Sequence, residues 1–127
     1  LAKSDGFNLG VVGSNSDTKF DPVKNMVGIF GGYAGYNLRI GGEFEQQTTG
    51  DLTETIFSSS LNYSISDKLD VFTRFDNYDN NEENDKVQNQ TLIGIVYELS
   101  KGVMIAPNIR KKNNEDPELR VNFQIKF

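Results

Sequence analysis

Apolar and polar residues alternate along most of this chain, most regularly over its last eleven positions, P-E-L-R-V-N-F-Q-I-K-F. There Leu119, Val121, Phe123, Ile125 and Phe127 take every second place, and Glu118, Arg120, Asn122, Gln124 and Lys126 fill the gaps. A period of two predicts a β-strand with one apolar and one polar face. The same alternation predicts seven earlier strands. Phe7 to Asn15 places Phe7, Leu9 and Val11 on one face, and Met26 to Ala34 follows as a glycine-rich strand. Tyr36 to Gln46 alternates Tyr36, Leu38, Ile40, Gly42 and Phe44 with Asn37, Arg39, Gly41, Glu43 and Glu45. Thr53 to Ile65 groups Phe57, Leu61, Tyr63 and Ile65, and the next strand groups Leu69, Val71, Thr73 and Phe75, with Phe72 stranded on the polar side. Thr91 to Leu99 and Val103 to Arg110 complete the set, the latter with Pro107 among its apolar positions. No stretch reads as a helix.

The connections between these strands alternate too. Polar loops are expected at 16–25, 47–52, 77–89 and 111–116, and two- or three-residue turns at 34–35, 66–67 and 100–102. In an up-and-down meander, odd connections lie at one end and even ones at the other. Long loops on one side and tight turns on the other are how outer-membrane barrels are arranged, with the tight turns in the periplasm. Tyr33, Tyr36, Tyr63 and Tyr97 fall near the tight turns, with Phe127 on the same side, while Phe44, Phe57, Phe75 and Tyr78 fall toward the loops. Two aromatic belts separated by an aliphatic band suit the two interfaces of a bilayer. The expected fold is therefore all-β: one domain over 1–127, an antiparallel up-and-down transmembrane β-barrel of about eight strands. A soluble lipocalin-like barrel has the same alternation with the apolar face inward. Charges of both signs on the polar face, the tyrosines at one end and the lopsided loops favour lipid outside.

Composition narrows the function classes. The chain has 127 residues and 36 % hydrophobic content, low for a globular domain and compatible with a barrel whose interior is polar. It lacks an apolar run long enough for a membrane helix, which does not weigh against a barrel. Net charge is −5, so nucleic acid is not an expected partner. With neither cysteine nor histidine, disulfides, thiolate metal sites and histidine-based nucleophilic triads cannot be built. Ser58, Ser59 and Ser60 have no histidine to activate them, and the pair Glu43 and Glu45 is what strand geometry produces on one face. No enzymatic activity and no cofactor or metal are expected. The acidic loop with Asp79, Glu82, Glu83 and Asp85 lacks the spacing of a dedicated Ca²⁺ loop and reads as a solvated surface that meets divalent ions at lipopolysaccharide. The start, Leu1-Ala2-Lys3-Ser4, has neither Met nor an apolar leader core, which fits a mature chain after signal removal or a fragment.

The closing strand with its terminal Phe127 resembles the C-terminal signal of Gram-negative outer-membrane barrel proteins. Residues 102–110, G-V-M-I-A-P-N-I-R, and the final D-P-E-L-R-V-N-F-Q-I-K-F are similar to the ends of larger porin-type proteins, and 66–76, S-D-K-L-D-V-F-T-R-F-D, shares that character. The resemblance implies residence in the bacterial outer membrane, with lipid and lipopolysaccharide as surroundings. It also implies recognition of Leu119, Val121, Phe123, Ile125 and Phe127 by the barrel-assembly machinery. Porins of that type have at least twice the strands, so the chain is either a small barrel or the closing part of a larger one. Under this reading Arg39, Glu43, Glu45, Asp70, Arg74, Arg110, Glu118, Arg120 and Lys126 line the lumen. Tyr33, Tyr36, Phe44, Phe57, Tyr63, Phe75, Tyr97, Phe123 and Phe127 form the lipid-facing girdles. The function expected is a porin-type channel for passive diffusion of small solutes. The alternative is a small structural barrel whose interior is filled by its own charges and whose loops bind a partner.

Overall fold

The computed structural model describes residues 5–18, 21–80, 87–113 and 115–126. They form eight strands: β1 (Gly6–Thr18), β2 (Asp21–Gly35), β3 (Leu38–Thr49), β4 (Leu52–Ser66), β5 (Leu69–Asp79), β6 (Gln88–Ser100), β7 (Val103–Lys112) and β8 (Glu118–Ile125). All neighbours are antiparallel and the order is β1-β2-β3-β4-β5-β6-β7-β8. Among the described residues no helix is long and apolar enough to cross a membrane.

The sheet is open. β1 pairs with β2 alone and β8 with β7 alone, so the closed barrel expected from the pattern is not what these eight strands form by themselves. The curvature they share does not bring the two outer strands within hydrogen-bonding reach.

The pairing registers sort the residues into two faces. One transverse row runs Phe7–Tyr33–Ile40–Leu61–Thr73–Ile93–Ile109–Leu119, one residue from each strand. Because directly opposed residues in an antiparallel pair point to the same side, this row and those two residues above and below it make one apolar face. The face also carries Leu9, Ile29, Phe44, Phe57, Val71, Ile95, Ile105 and Phe123. Phe7 is 86 % exposed, Leu9 78 % and Val11 80 %, and none of the described residues forms a buried hydrophobic core. No second layer covers this face among the described residues.

The sheet bows toward its other, polar face. A hollow of about 790 Å³ there is bordered by residues of β3 to β7, including Glu43, Ile56, Arg74, Gln90 and Lys112. A second, of about 510 Å³, lies among residues of β1 to β4, including Asn8, Arg39 and Asn62. The buried side chains are on this side as well: Ser58, 7 % exposed, and Asn108, 4 %. Two phenylalanines of this face lie over glycines of the neighbouring strand. A Cβ on Gly94 would come within 2.6 Å of the Phe72 ring, and one on Gly10 would collide with Phe30. Phe72, out of place by pattern, thus fills the space that Gly94 leaves.

Several boundaries differ from the pattern-based reading. The first reversal is not Ala34-Gly35 but Tyr36-Asn37, with φ of 51° and 64°. Two successive positive φ values give the turn whose twist matches its flanking strands. Tyr36 therefore leaves the strand and sits, 88 % exposed, in the turn. The supposed loop at 47–52 is a two-residue turn at Gly50-Asp51, with Gly50 at φ 61°. Polar residues on both faces of β3 and β4 disguise the ends of those strands. Likewise β1 and β2 extend through most of the stretch expected to loop at 16–25. The loop-length asymmetry is accordingly weaker than expected.

Pro107 interrupts the ladder between β6 and β7, where paired residues run to Gly94–Asn108 and resume at Tyr97–Ile105. Proline has no N–H to contribute to a central strand. The Asn108 side chain compensates by donating from Nδ2 to the Ala106 carbonyl at 3.0 Å.

Candidate functional site: the polar face of the sheet

Alternation carries the residues expected in a lumen to one side. Arg39 pairs with Asn62, Glu43 with Ser58, and Glu45 with Ile56. Asp70 lies opposite Val96, Arg74 opposite Leu92, Arg110 opposite Glu118, and Asn108 opposite Arg120. All these share the face of the two hollows. Lys126 follows β8 with the same parity, and its backbone N–H bonds the Gly102 carbonyl at 2.8 Å.

The charges on this face make local contacts. Arg74 Nε donates to both carboxylate oxygens of Asp76 at 2.8 and 3.0 Å. Glu118 accepts from Arg110 Nη2 at 2.9 Å, and Arg120 Nη2 approaches its two oxygens at 2.9 and 3.1 Å. These ion pairs join residues of one strand or of neighbouring strands. The groups remain wet: the side chains of Arg74 and Glu118 are each 52 % exposed, and that of Arg120 41 %. Ion pairs this exposed are screened by water and contribute little to stability, so they shape the potential of the surface more than they hold the sheet together.

A cluster that the sequence reading did not single out lies toward the loop end. Tyr78 Oη donates to Glu54 Oε1 at 2.7 Å, and Gln47 Nε2 donates to Glu54 Oε2 at 2.9 Å. Tyr78, counted by pattern among the outer aromatics, pairs with Ile56 and Gln88 and so faces the polar side. The signal was present in its parity with Asp76. Glu54 and Gln47 were missed because polar residues occupy both parities at that end of the sheet.

The aromatic residues of the apolar face gather in two groups. The rings of Phe7 and Tyr33 meet in a tilted arrangement, 4.8 Å between centroids, near the tight turns, where Tyr63 and Tyr97 also lie. Phe44 pairs with Phe57, whose ring is 6.4 Å from that of Phe75. Phe57 and Tyr63 are six residues apart in β4, about 20 Å along the strand. Leu119, Val121, Phe123 and Ile125 of the closing strand lie on the same face, while Phe127 lies outside the described residues. So do Glu82, Glu83 and Asp85 of the acidic loop, and among the described residues no group of carboxylates is placed to hold a metal ion.

No family model and no curated protein matches this chain.

Proposed function

We propose that this chain forms wall of a porin-type β-barrel in the bacterial outer membrane, through which small solutes diffuse passively. The observation that carries the reading is the division of the sheet. An apolar face continuous across all eight strands lies on the outside of the bow, and a charged face lies inside it. A soluble up-and-down barrel places its apolar side chains inside the curvature, the opposite of this arrangement. Lipid is the solvent that an uncovered apolar sheet face of this extent suits, and it would require every edge strand to be paired. Within such a wall Arg39, Glu43, Glu45, Asp70, Arg74, Arg110, Glu118, Arg120 and Lys126 meet water in the lumen. Both charge signs are interspersed, which gives weak rather than strong ion selectivity. The alternating residues of β8 and the Phe127 that follows them are the segment offered to the barrel-assembly machinery.

Protein refolded into planar bilayers is expected to give stepwise single-channel conductance with anion and cation permeabilities of similar size. Membranes that stay silent while the protein is inserted would remove the channel and leave a barrel with a filled interior. A chain that stays monodisperse in buffer without detergent would remove the membrane altogether.

A further inference from the structure

On the polar face, pairing sets Phe30 of β2 opposite Glu43 of β3, Glu43 opposite Ser58 of β4, and Ser58 opposite Asp76 of β5. Two residues nearer the tight turns, Gly32, Gly41, Ser60 and Arg74 make the next row of the same face. The glycines leave that row shallow. A hollow of about 250 Å³ opens there, bordered by Phe30, Glu43, Ser58, Ser60 and Arg74, with Gly41 and Gly42 beside them. At roughly 30 Å³ per water it has room for about eight waters, or for a small solute and fewer waters. Each of β2, β3, β4 and β5 has a sheet neighbour on both sides. The walls of the hollow therefore stand whatever pairs with the outer strands.

The polar groups around this hollow are not spent on one another. Ser58 is 7 % exposed, yet its hydroxyl has no hydrogen-bond partner among the described residues. The Glu43 carboxylate beside it has no ion-pair or hydrogen-bond partner among them either. On the far side Arg74 gives its Nε to Asp76 at 2.8 and 3.0 Å, and both its Nη groups are left without a partner among the described residues. Glu43 and Arg74 have opposite charges but form no ion pair with each other. Two strand spacings, roughly 10 Å, and a two-residue offset separate their backbones. A nearly buried hydroxyl without a partner forgoes a hydrogen bond that a solute can supply. A carboxylate on one side of it and a guanidinium on the other set where the charges of that solute must lie.

We propose that this hollow binds a small zwitterionic amino acid, with its ammonium at Glu43 and Phe30 and its carboxylate at the Nη groups of Arg74. The proposal deepens the channel reading above by naming a solute class for the lumen, and it rests on that reading. The Phe30 ring adds a face that attracts a cation, and the guanidinium offers a planar fork that matches a carboxylate. The Ser58 hydroxyl lies between the two and bonds whichever group leans toward it. Neither half of the solute suits the hollow alone. A lone anion meets Glu43 and Asp76 as well as Arg74, and a lone cation meets Arg74.

The probes are L-alanine, ethylamine, which lacks its carboxylate, and propionate, which lacks its ammonium. Binding is followed by ligand-observed NMR on the protein refolded in an uncharged detergent. Alanine is expected to bind roughly tenfold or more tighter than either fragment, as a second charge-assisted contact provides. Glu43→Gln should weaken alanine by about tenfold and leave propionate no weaker, whereas Arg74→Gln should weaken alanine as much and leave ethylamine no weaker. Ser58→Ala should cost alanine about fivefold. A variant that only disturbed the fold would weaken all three probes together. The comparison of probes on the unsubstituted protein needs no variant at all. Alanine bound no tighter than one of its fragments, or bound equally well by Glu43→Gln and Arg74→Gln, would overturn the proposal. Stepwise conductance from a protein with no preference for alanine would remove the site and spare the channel. Preferential alanine binding by a protein that passes no current would do the reverse.

Discussion

Ile95→Arg is expected to destabilise the protein in a lipid or detergent environment by about 2–4 kcal/mol, the range for a cation on the lipid face near the bilayer midplane. Ile95 lies opposite Val71 on the apolar face, between the tyrosines near the tight turns and the phenylalanines toward the loops. An arginine there has no carboxylate within its row, and its guanidinium must reach an interface or carry water into the hydrocarbon. The next residue supplies the control. Val96 lies opposite Asp70 on the polar face, so Val96→Arg places the same charge beside a carboxylate in a wet surface. Its expected effect is below about 1 kcal/mol. Urea unfolding in lipid vesicles, followed by tyrosine fluorescence or gel mobility, measures both. Ile95→Arg and Val96→Arg with equal effects would mean that the two faces do not differ in solvent. Ile40→Arg, on the same apolar face but nearer the tight turns, should fall below Ile95→Arg because depth sets the penalty.

This comparison depends on a part of the fold that alternation alone made legible. A period of two assigns each residue to a face without any knowledge of its neighbours, and the registers then align the faces of successive strands. Ile40, Leu61, Ile93 and Ile109 were each placed on the apolar side within their own strands, and pairing brings them into one row. Glu43, Arg74 and Glu118 reach the opposite face for the same reason. Strand ends were less legible. Thr48 and Thr49, Asn15 and Ser16, and Lys24 and Asn25 are polar whether they face in or out, so no alternation marks where pairing stops. Backbone hydrogen bonds carry the ladder through them. Closure was not legible at all, because every residue of an edge strand has the same periodicity as that of a central one. Tyr36 shows the remaining weakness: its parity fits β3, yet a turn with two positive φ values needs a second residue beside Asn37, and Tyr36 takes that place.

Gly94→Val is the substitution expected to damage the polar face most, by about 1–3 kcal/mol, as overpacking does where neighbours cannot withdraw. A Cβ at Gly94 would lie 2.6 Å from the Phe72 ring and 2.6 Å from Asn108 Cβ. The ring is the end of a side chain and can swing away, but Asn108 Cβ is fixed to the backbone of β7. Asn108 is also 4 % exposed, and its amide is committed to the Ala106 carbonyl beside the gap in pairing that Pro107 creates. Moving it would leave that carbonyl without its compensating donor. Adding Phe72→Ala to Gly94→Val should therefore restore only part of the loss. Gly13→Ala is the contrasting case: its Cβ would find the Met26 carbonyl at 3.8 Å, an ordinary contact, and the change should be neutral or slightly stabilising. If Gly94→Val unfolds at the native urea concentration, Phe72 does not lie over Gly94. If Phe72→Ala restores all of the loss, Asn108 is not the fixed wall. Full stability of Gly94→Val would also separate two explanations for Phe72 on a polar face, since a ring needed only to fill space should be displaced by any side chain that fills it. The expected loss says instead that the ring, the glycine and the asparagine occupy one site jointly, across the strand pair where proline has removed a hydrogen bond.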